Sequence, residues 1–67
     1  MAELGNRLRE AREAKGWTQA QLAERIGVSR KTINTVENRV FVPSTVVALK
    51  LALALEARVE TLFFLAE

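Results

Sequence analysis

Apolar positions recur at helical spacing along most of the chain. Leu4, Leu8 and Ala11 stand at i, i+4 and i+7 and form one stripe, which predicts a helix over about 3–15. Glu3 with Arg7, and Arg9 with Glu13, are opposite charges four residues apart that support such a helix. Gly16 after Lys15 supplies a left-handed stop with a cation in the last turn. Thr18 followed three residues later by Gln21 is a capping box, so a second helix starts there, turns Leu22, Ala23 and Ile26 inward and stops at Gly27. Ser29 caps a third helix running to about Asn38, with Val28, Ile33 and Val36 as its inward anchors. Pro43 discourages helix before it, and Ser44 or Thr45 caps a fourth that reaches Leu55, with Val47 or Ala48, Leu51, Ala52 and Leu55 on one side. A last turn or two, from about Val59 to Leu65, brings Leu62 and Phe63 to the core. The pattern predicts an all-α fold, a compact five-helix bundle forming a single domain over 1–67.

Length sharpens this picture. A chain of 67 residues buries only about 60% of its unfolded surface, so stability calls for a disulfide, a metal, very close packing or a partner chain. With no cysteine and no histidine, the first two drop out, and no cofactor is implied. The N-terminal residues lack a basic stretch followed by an apolar run, so no signal peptide is expected. The longest aliphatic run, Val46 to Leu55, is broken by Lys50 and falls short of the roughly 20 residues of a membrane span. A soluble, cytoplasmic protein is expected, with no membrane partner and no evident small-molecule ligand.

Charge divides the chain in two. Residues 1–39 carry eight Lys or Arg against five acids, a net of +3, whereas residues 40–67 carry two against three, a net of −1. A basic half joined to a slightly acidic, apolar half suggests polyanion contact at one end and packing at the other. General acid–base chemistry would fall to scattered Glu and Lys, so an enzyme is not expected.

The informative stretch is about 18–38: a helix, a short turn built on Gly27 and a second short helix, the helix-turn-helix spacing. Such a turn holds the helices at a wide angle, so that one lies across a phosphate backbone while the other enters the major groove. The outward residues of the second are Arg30, Lys31, Asn34 and Thr35, with Ser29 and Thr32 near its start and no acid on that face. Arg bridges guanine O6 and N7, Lys donates to guanine, Asn pairs with adenine, and a Thr methyl meets the thymine methyl. An ordinary solvated helix face collects the same residue types; the conjunction of turn, cap and basic face favours double-stranded DNA.

The run from Gly16 to Asn38, with its Thr-Gln, Leu-Ala, Gly-Val-Ser and Ile-x-x-x-Glu-Asn elements, resembles the Cro and phage-repressor type, or xenobiotic-response-element, family of transcriptional regulators. The likeness continues through Val42-Pro43-Ser44 and Val59-Glu60-Thr61-Leu62-Phe63. It implies a lambda-repressor-like DNA-binding domain in which Arg30, Lys31, Thr35 and Asn34 read bases. Thr18, Gln19, Ser29, Thr32, Asn38 and Arg39 would then meet phosphate. It also implies a partly buried ion pair between Arg12 and Glu37 that ties the first helix to the third. Two positions depart from the family pattern: Arg39 and Glu56 stand where glycines are usual. A left-handed conformation costs a non-glycine residue roughly 1 kcal/mol, so the geometry of the 39–42 loop and of the link between the last two helices stays open.

The region 40–67 holds more apolar residues than a five-helix core needs. Phe41, Val46, Leu49, Leu53, Phe64 and Leu65 are therefore assigned to a homodimer interface, since a monomer rarely exposes a large contiguous apolar patch; the alternative is that they close the domain's own core. Two recognition helices about 34 Å apart would meet successive major grooves of a palindromic operator, as a repressor would. The rival reading is a protein-interaction module, such as an antitoxin or co-regulator, built on the same fold.

Overall fold

The computed structural model describes residues 3–66, and three of its helices begin where a side chain supplies the cap. The elements are β1 (Glu3–Asn6), α1 (Leu8–Ala14), α2 (Gln19–Ile26), α3 (Arg30–Glu37), α4 (Thr45–Leu55), α5 (Val59–Leu62) and β2 (Phe63–Ala66). Thr18 and Gln21 form a reciprocal box: the Gln21 N–H donates to Thr18 Oγ1 at 3.0 Å, and the Thr18 N–H to Gln21 Oε1 at 2.8 Å. Ser29 Oγ accepts from the Thr32 N–H at 3.1 Å, and Ser44 Oγ from the Val47 N–H at 3.2 Å. Gly27 closes α2 at φ 75°, and Gly16 takes the same left-handed conformation after α1. These turns set α2 against α3 and α4.

The core gathers one stripe from each helix: Leu8 from α1; Leu22, Ala23 and Ile26 from α2; Ile33 and Val36 from α3; Leu51, Ala52 and Leu55 from α4. Leu62 and Phe63 complete it. Leu4, Ala11, Val28, Val47 and Ala48 pack around it half-buried. Among the described residues no helix is long and apolar enough to cross a membrane.

The all-α expectation needs correction at both ends of the chain. Residues 3–6 are not the first turns of a helix, and residues 63–65 do not extend the last one. They pair as a two-stranded antiparallel sheet, with Glu3 opposite Ala66, Leu4 opposite Leu65, Gly5 opposite Phe64 and Asn6 opposite Phe63. Asn6 decides where helix begins: its Oδ1 accepts from the Leu8 N–H at 3.1 Å, and its Nδ2 donates to the Val36 carbonyl at 2.9 Å. The Arg7 N–H donates to the Leu62 carbonyl at 2.8 Å, which ties the two strand ends together. Glycine is required opposite Phe64, because a Cβ at position 5 would stand 2.5 Å from the ring's Cε1. The Arg7 guanidinium lies over that same ring, 4.8 Å from its centroid. The Glu3–Arg7 pairing expected on a helix therefore has no helix to sit on.

Arg39 and Glu56 resolve the question the missing glycines raised. Both adopt the left-handed conformation, at φ 61° and 53°, so the backbone path suited to glycine is kept at the cost of crowding each Cβ against its own peptide group. Glu56 is the C-cap of α4, and its carboxylate is ion-paired with Lys15. A hydrogen bond from Lys15, and its charge, hold the Glu56 carboxyl below its ordinary pKa.

Candidate nucleic-acid interface

At about 100° per residue, the buried Ile33, Val36 and Glu37 fall on one side of α3 and Lys31 lies nearly opposite them. Asn34 and Arg30 flank Lys31 on the side of α2; Thr35 and Thr32 flank it on the other. Arg30, Lys31 and Asn34 are exposed and Thr35 is half-buried. Among the described residues, the side chains of Arg30 and Lys31 enter no hydrogen bond or ion pair within the chain, so both cations are free to meet an external acceptor. The Thr35 hydroxyl donates back to the carbonyls of Lys31 and Thr32, at 3.0 and 3.1 Å, which leaves its methyl and lone pairs for anything outside.

Arg12 and Glu37 meet beneath this face. Arg12 Nε donates to Glu37 Oε2 at 2.7 Å and Nη2 to Oε1 at 3.2 Å, a two-pronged pair, while Nη1 donates to the Trp17 carbonyl at 2.7 Å. The Glu37 side chain is wholly buried and that of Arg12 is 11% exposed. Glu37 Oε1 also accepts from Gln19 Nε2 at 3.1 Å and from Arg9 Nε at 3.4 Å. Burial alone would raise the Glu37 pKa. Hydrogen bonds from Arg12 and Gln19, the Arg12 charge and the Arg9 hydrogen bond outweigh burial, and the carboxyl lies below its ordinary value. The pair thus locks α1, the start of α2 and the end of α3 together through charge-assisted bonds.

Gln19 connects that lock to the outer face. With Nε2 on Glu37, its Oε1 accepts from Asn34 Nδ2 at 3.4 Å. One N–H of Gln19 stays available at the N-terminus of α2, where orphan backbone donors also favour an anion. Asn34 keeps its Oδ1 and one amide hydrogen, the donor–acceptor pair that matches adenine.

The other residues expected to meet phosphate surround the face without forming one cluster. Thr18 and Ser29 are engaged as caps, and Thr32 is engaged with Ser29, whose Oγ lies 3.0 Å from Thr32 Oγ1. Asn38 Oδ1 accepts from Arg9 Nη2 at 3.2 Å, so its amide nitrogen remains to donate. Arg39 is exposed just beyond. Arg9 is the residue that sequence reasoning missed: it adds a cation beside Asn38 and Arg39. The signal was its place three residues before Arg12, which puts both on one face of α1. Trp17, beneath Arg25 with the guanidinium 4.0 Å from the ring, anchors the start of α2.

Of the residues assigned to a dimer interface, Phe41, Val46, Leu49, Leu53 and Leu65 are exposed, Leu53 to 82%. Phe64 differs: it is half-buried, against Gly5 and beneath Arg7, so only part of it faces outward. Val40 and Val42 are exposed as well.

The helix-turn-helix family model matches residues 8–66. An uncharacterized HTH-type transcriptional regulator of Bacillus subtilis, YgzD, is 37% identical over 62 residues, 92% of this chain and 94% of its own length. The restriction-modification controller protein C.AhdI of Aeromonas hydrophila superposes with a TM-score of 0.77 at 42% identity, over 82% of this chain and 83% of that one. The antitoxin HipB of Escherichia coli is 42% identical over 36 residues, which cover 54% of this chain and 41% of HipB. With the fold, the exposed α3 face and these relatives in agreement, the chain belongs to the helix-turn-helix family of the Cro and phage-repressor type, whose members are DNA-binding transcriptional regulators and not enzymes.

Proposed function

We propose that the chain is a repressor that binds a palindromic operator as a homodimer, with α3 of each copy in the major groove. The carrying observation is the outer face of α3: Arg30, Lys31 and Asn34 are exposed around a capped helix, with no carboxylate among them. In this reading Arg30, Lys31, Thr35 and Asn34 select bases. Thr18, Gln19, Ser29, Thr32, Asn38 and Arg39 meet phosphate and set register, which makes affinity salt-dependent. Self-association through α4 and its neighbours would supply the second recognition helix, because one short helix alone gives little specificity.

Selection of bound duplexes from a random pool tests this directly. A recovered site with two half-sites about one helical turn apart is the expected result. Arg30→Ala then costs about 1–3 kcal/mol of binding and relaxes preference at one base-pair position. An equal loss on all sequences would reassign Arg30 to backbone contact. A second reading, a partner-binding module of the antitoxin kind, draws support from the exposed apolar residues after α3 and from the partial HipB match. Failure to enrich any duplex would favour it.

A further inference from the structure

Not all of the exposed apolar residues lie on α4. Val40 and Phe41 are drawn back along α3, since both backbone N–H groups donate to the Thr35 carbonyl, at 2.9 and 3.2 Å. The left-handed turn at Arg39 makes that return possible. Between the loop and the helix lies an open cleft of about 300 Å³, lined by Ser29, Lys31, Thr32, Thr35, Val40 and Phe41. Its hydroxyls are largely spent: Ser29 and Thr32 engage each other, and Thr35 donates to backbone carbonyls. What a visitor meets most openly is the Lys31 ammonium and a wall of carbon, with Val40 78% and Phe41 51% exposed. No carboxylate lines the cleft.

Two of the residues proposed to read bases, Lys31 and Thr35, form one side of this cleft. A duplex seated on α3 would therefore continue into it, and the Lys31 cation in its wall suits a polyanion. Of the groups that base edges show in the major groove, one alone is apolar, the C5-methyl of thymine. The cleft is open to solvent along its length, so the edge of a base can bring its methyl group against this wall. Building on the duplex-reading role above, we propose that the cleft is a thymine subsite in which Val40 and Phe41 cover the C5-methyl group. These two residues would then determine specificity from outside the recognition helix.

The test uses the full chain and the duplex selected from the random pool, with each thymine replaced in turn by deoxyuridine, which removes only the methyl. At one thymine per half-site the substitution should weaken binding about fourfold, the worth of one buried methyl. Phe41→Ser should bind the thymine and uracil duplexes equally, with an unchanged melting temperature. Should Phe41→Ser melt early, Val40→Ser gives the same reading from a more exposed position. Restoring the methyl as 5-methylcytosine in place of cytosine at that position should recover a similar factor. Equal binding of uracil at every thymine, or a selected site without thymine there, overturns the subsite while leaving base reading by α3 intact. A thymine–uracil difference that persists in both variants, with a lowered solution mass for Phe41→Ser, would give the cleft to a second copy of the chain instead. If no duplex is enriched at all, base reading falls and the subsite with it.

Discussion

The outer faces of α3 and α4 are made of opposite materials. Both helices anchor inward with aliphatic residues, Ile33 and Val36 on one, Leu51, Ala52 and Leu55 on the other. Outward, α3 shows Arg30, Lys31 and Asn34, whereas α4 shows Val46, Leu49 and Leu53 with Lys50 among them. Burial of the inward residues accounts for the fold in both cases, so it leaves the outer surfaces free to differ. A helix that is apolar nearly all round is one that expects cover on both sides, which is the physical basis for the homodimer proposed above. A basic helix with free cations expects a polyanion. The two faces also differ in support: beneath α3 lies a hydrogen-bonded ion pair, and beneath α4 only hydrocarbon.

The largest effect should come from removing that ion pair. Arg12→Ala strands the buried Glu37 carboxylate, and with Arg9 and Gln19 still in reach the loss should be about 3 kcal/mol in urea unfolding, at the low end for a one-sided break. Acid should act through the same group. The folded pKa of Glu37 lies below the unfolded one, so its contribution is present above the ordinary carboxylate range and is lost as pH falls through the folded value. Glu37→Gln should accordingly unfold with a shallower loss of stability on acidification, as followed by circular dichroism.

The next effect sharpens the α4 side. Leu53→Ser should leave the monomer's stability nearly unchanged, because Leu53 is already exposed, but should remove about 2 kcal/mol of apolar burial per protomer from self-association. Light scattering would then record a smaller mass at a given concentration; an unchanged mass would place the contact elsewhere. Gly5→Ala must displace the Phe64 ring and, with it, the Arg7 stacking, for an expected loss of about 1–2 kcal/mol in thermal melts. Smallest is Arg39→Gly, which relieves a left-handed non-glycine residue and should stabilise by up to about 1 kcal/mol.

The helices were legible because spacing and caps are local. Thr18 with Gln21, Ser29 and Ser44 each announce a start, and the inward residues repeat often enough to define a stripe. The strands were not legible, since four residues are too few to show an alternation. Leu4 also happened to fall in register with Leu8 and Ala11. Gly5 was the discordant sign, as a poor helix former with no cap to explain it, and the aromatic pair Phe63-Phe64 suits a strand better than a final helical turn. The outer α3 residues could be chosen from the sequence alone, whereas the Arg12–Glu37 pair came from family likeness. The chain from Glu37 through Gln19 to Asn34 spans three elements and has no sequence period, so only the folded arrangement displays it. The same holds for the return of Val40 and Phe41 to Thr35.

Base reading by α3 requires that its outer face, and not that of α4, meets the duplex. Titrating the isotopically labelled chain with its selected duplex, and following backbone amide shifts by NMR, separates them. Large shifts at residues 18–20 and 29–41, with α4 residues 46–53 nearly still, are predicted. Shifts confined to α4 and β2, with Arg30, Lys31 and Asn34 unmoved, would contradict the assignment of α3 as the reading helix.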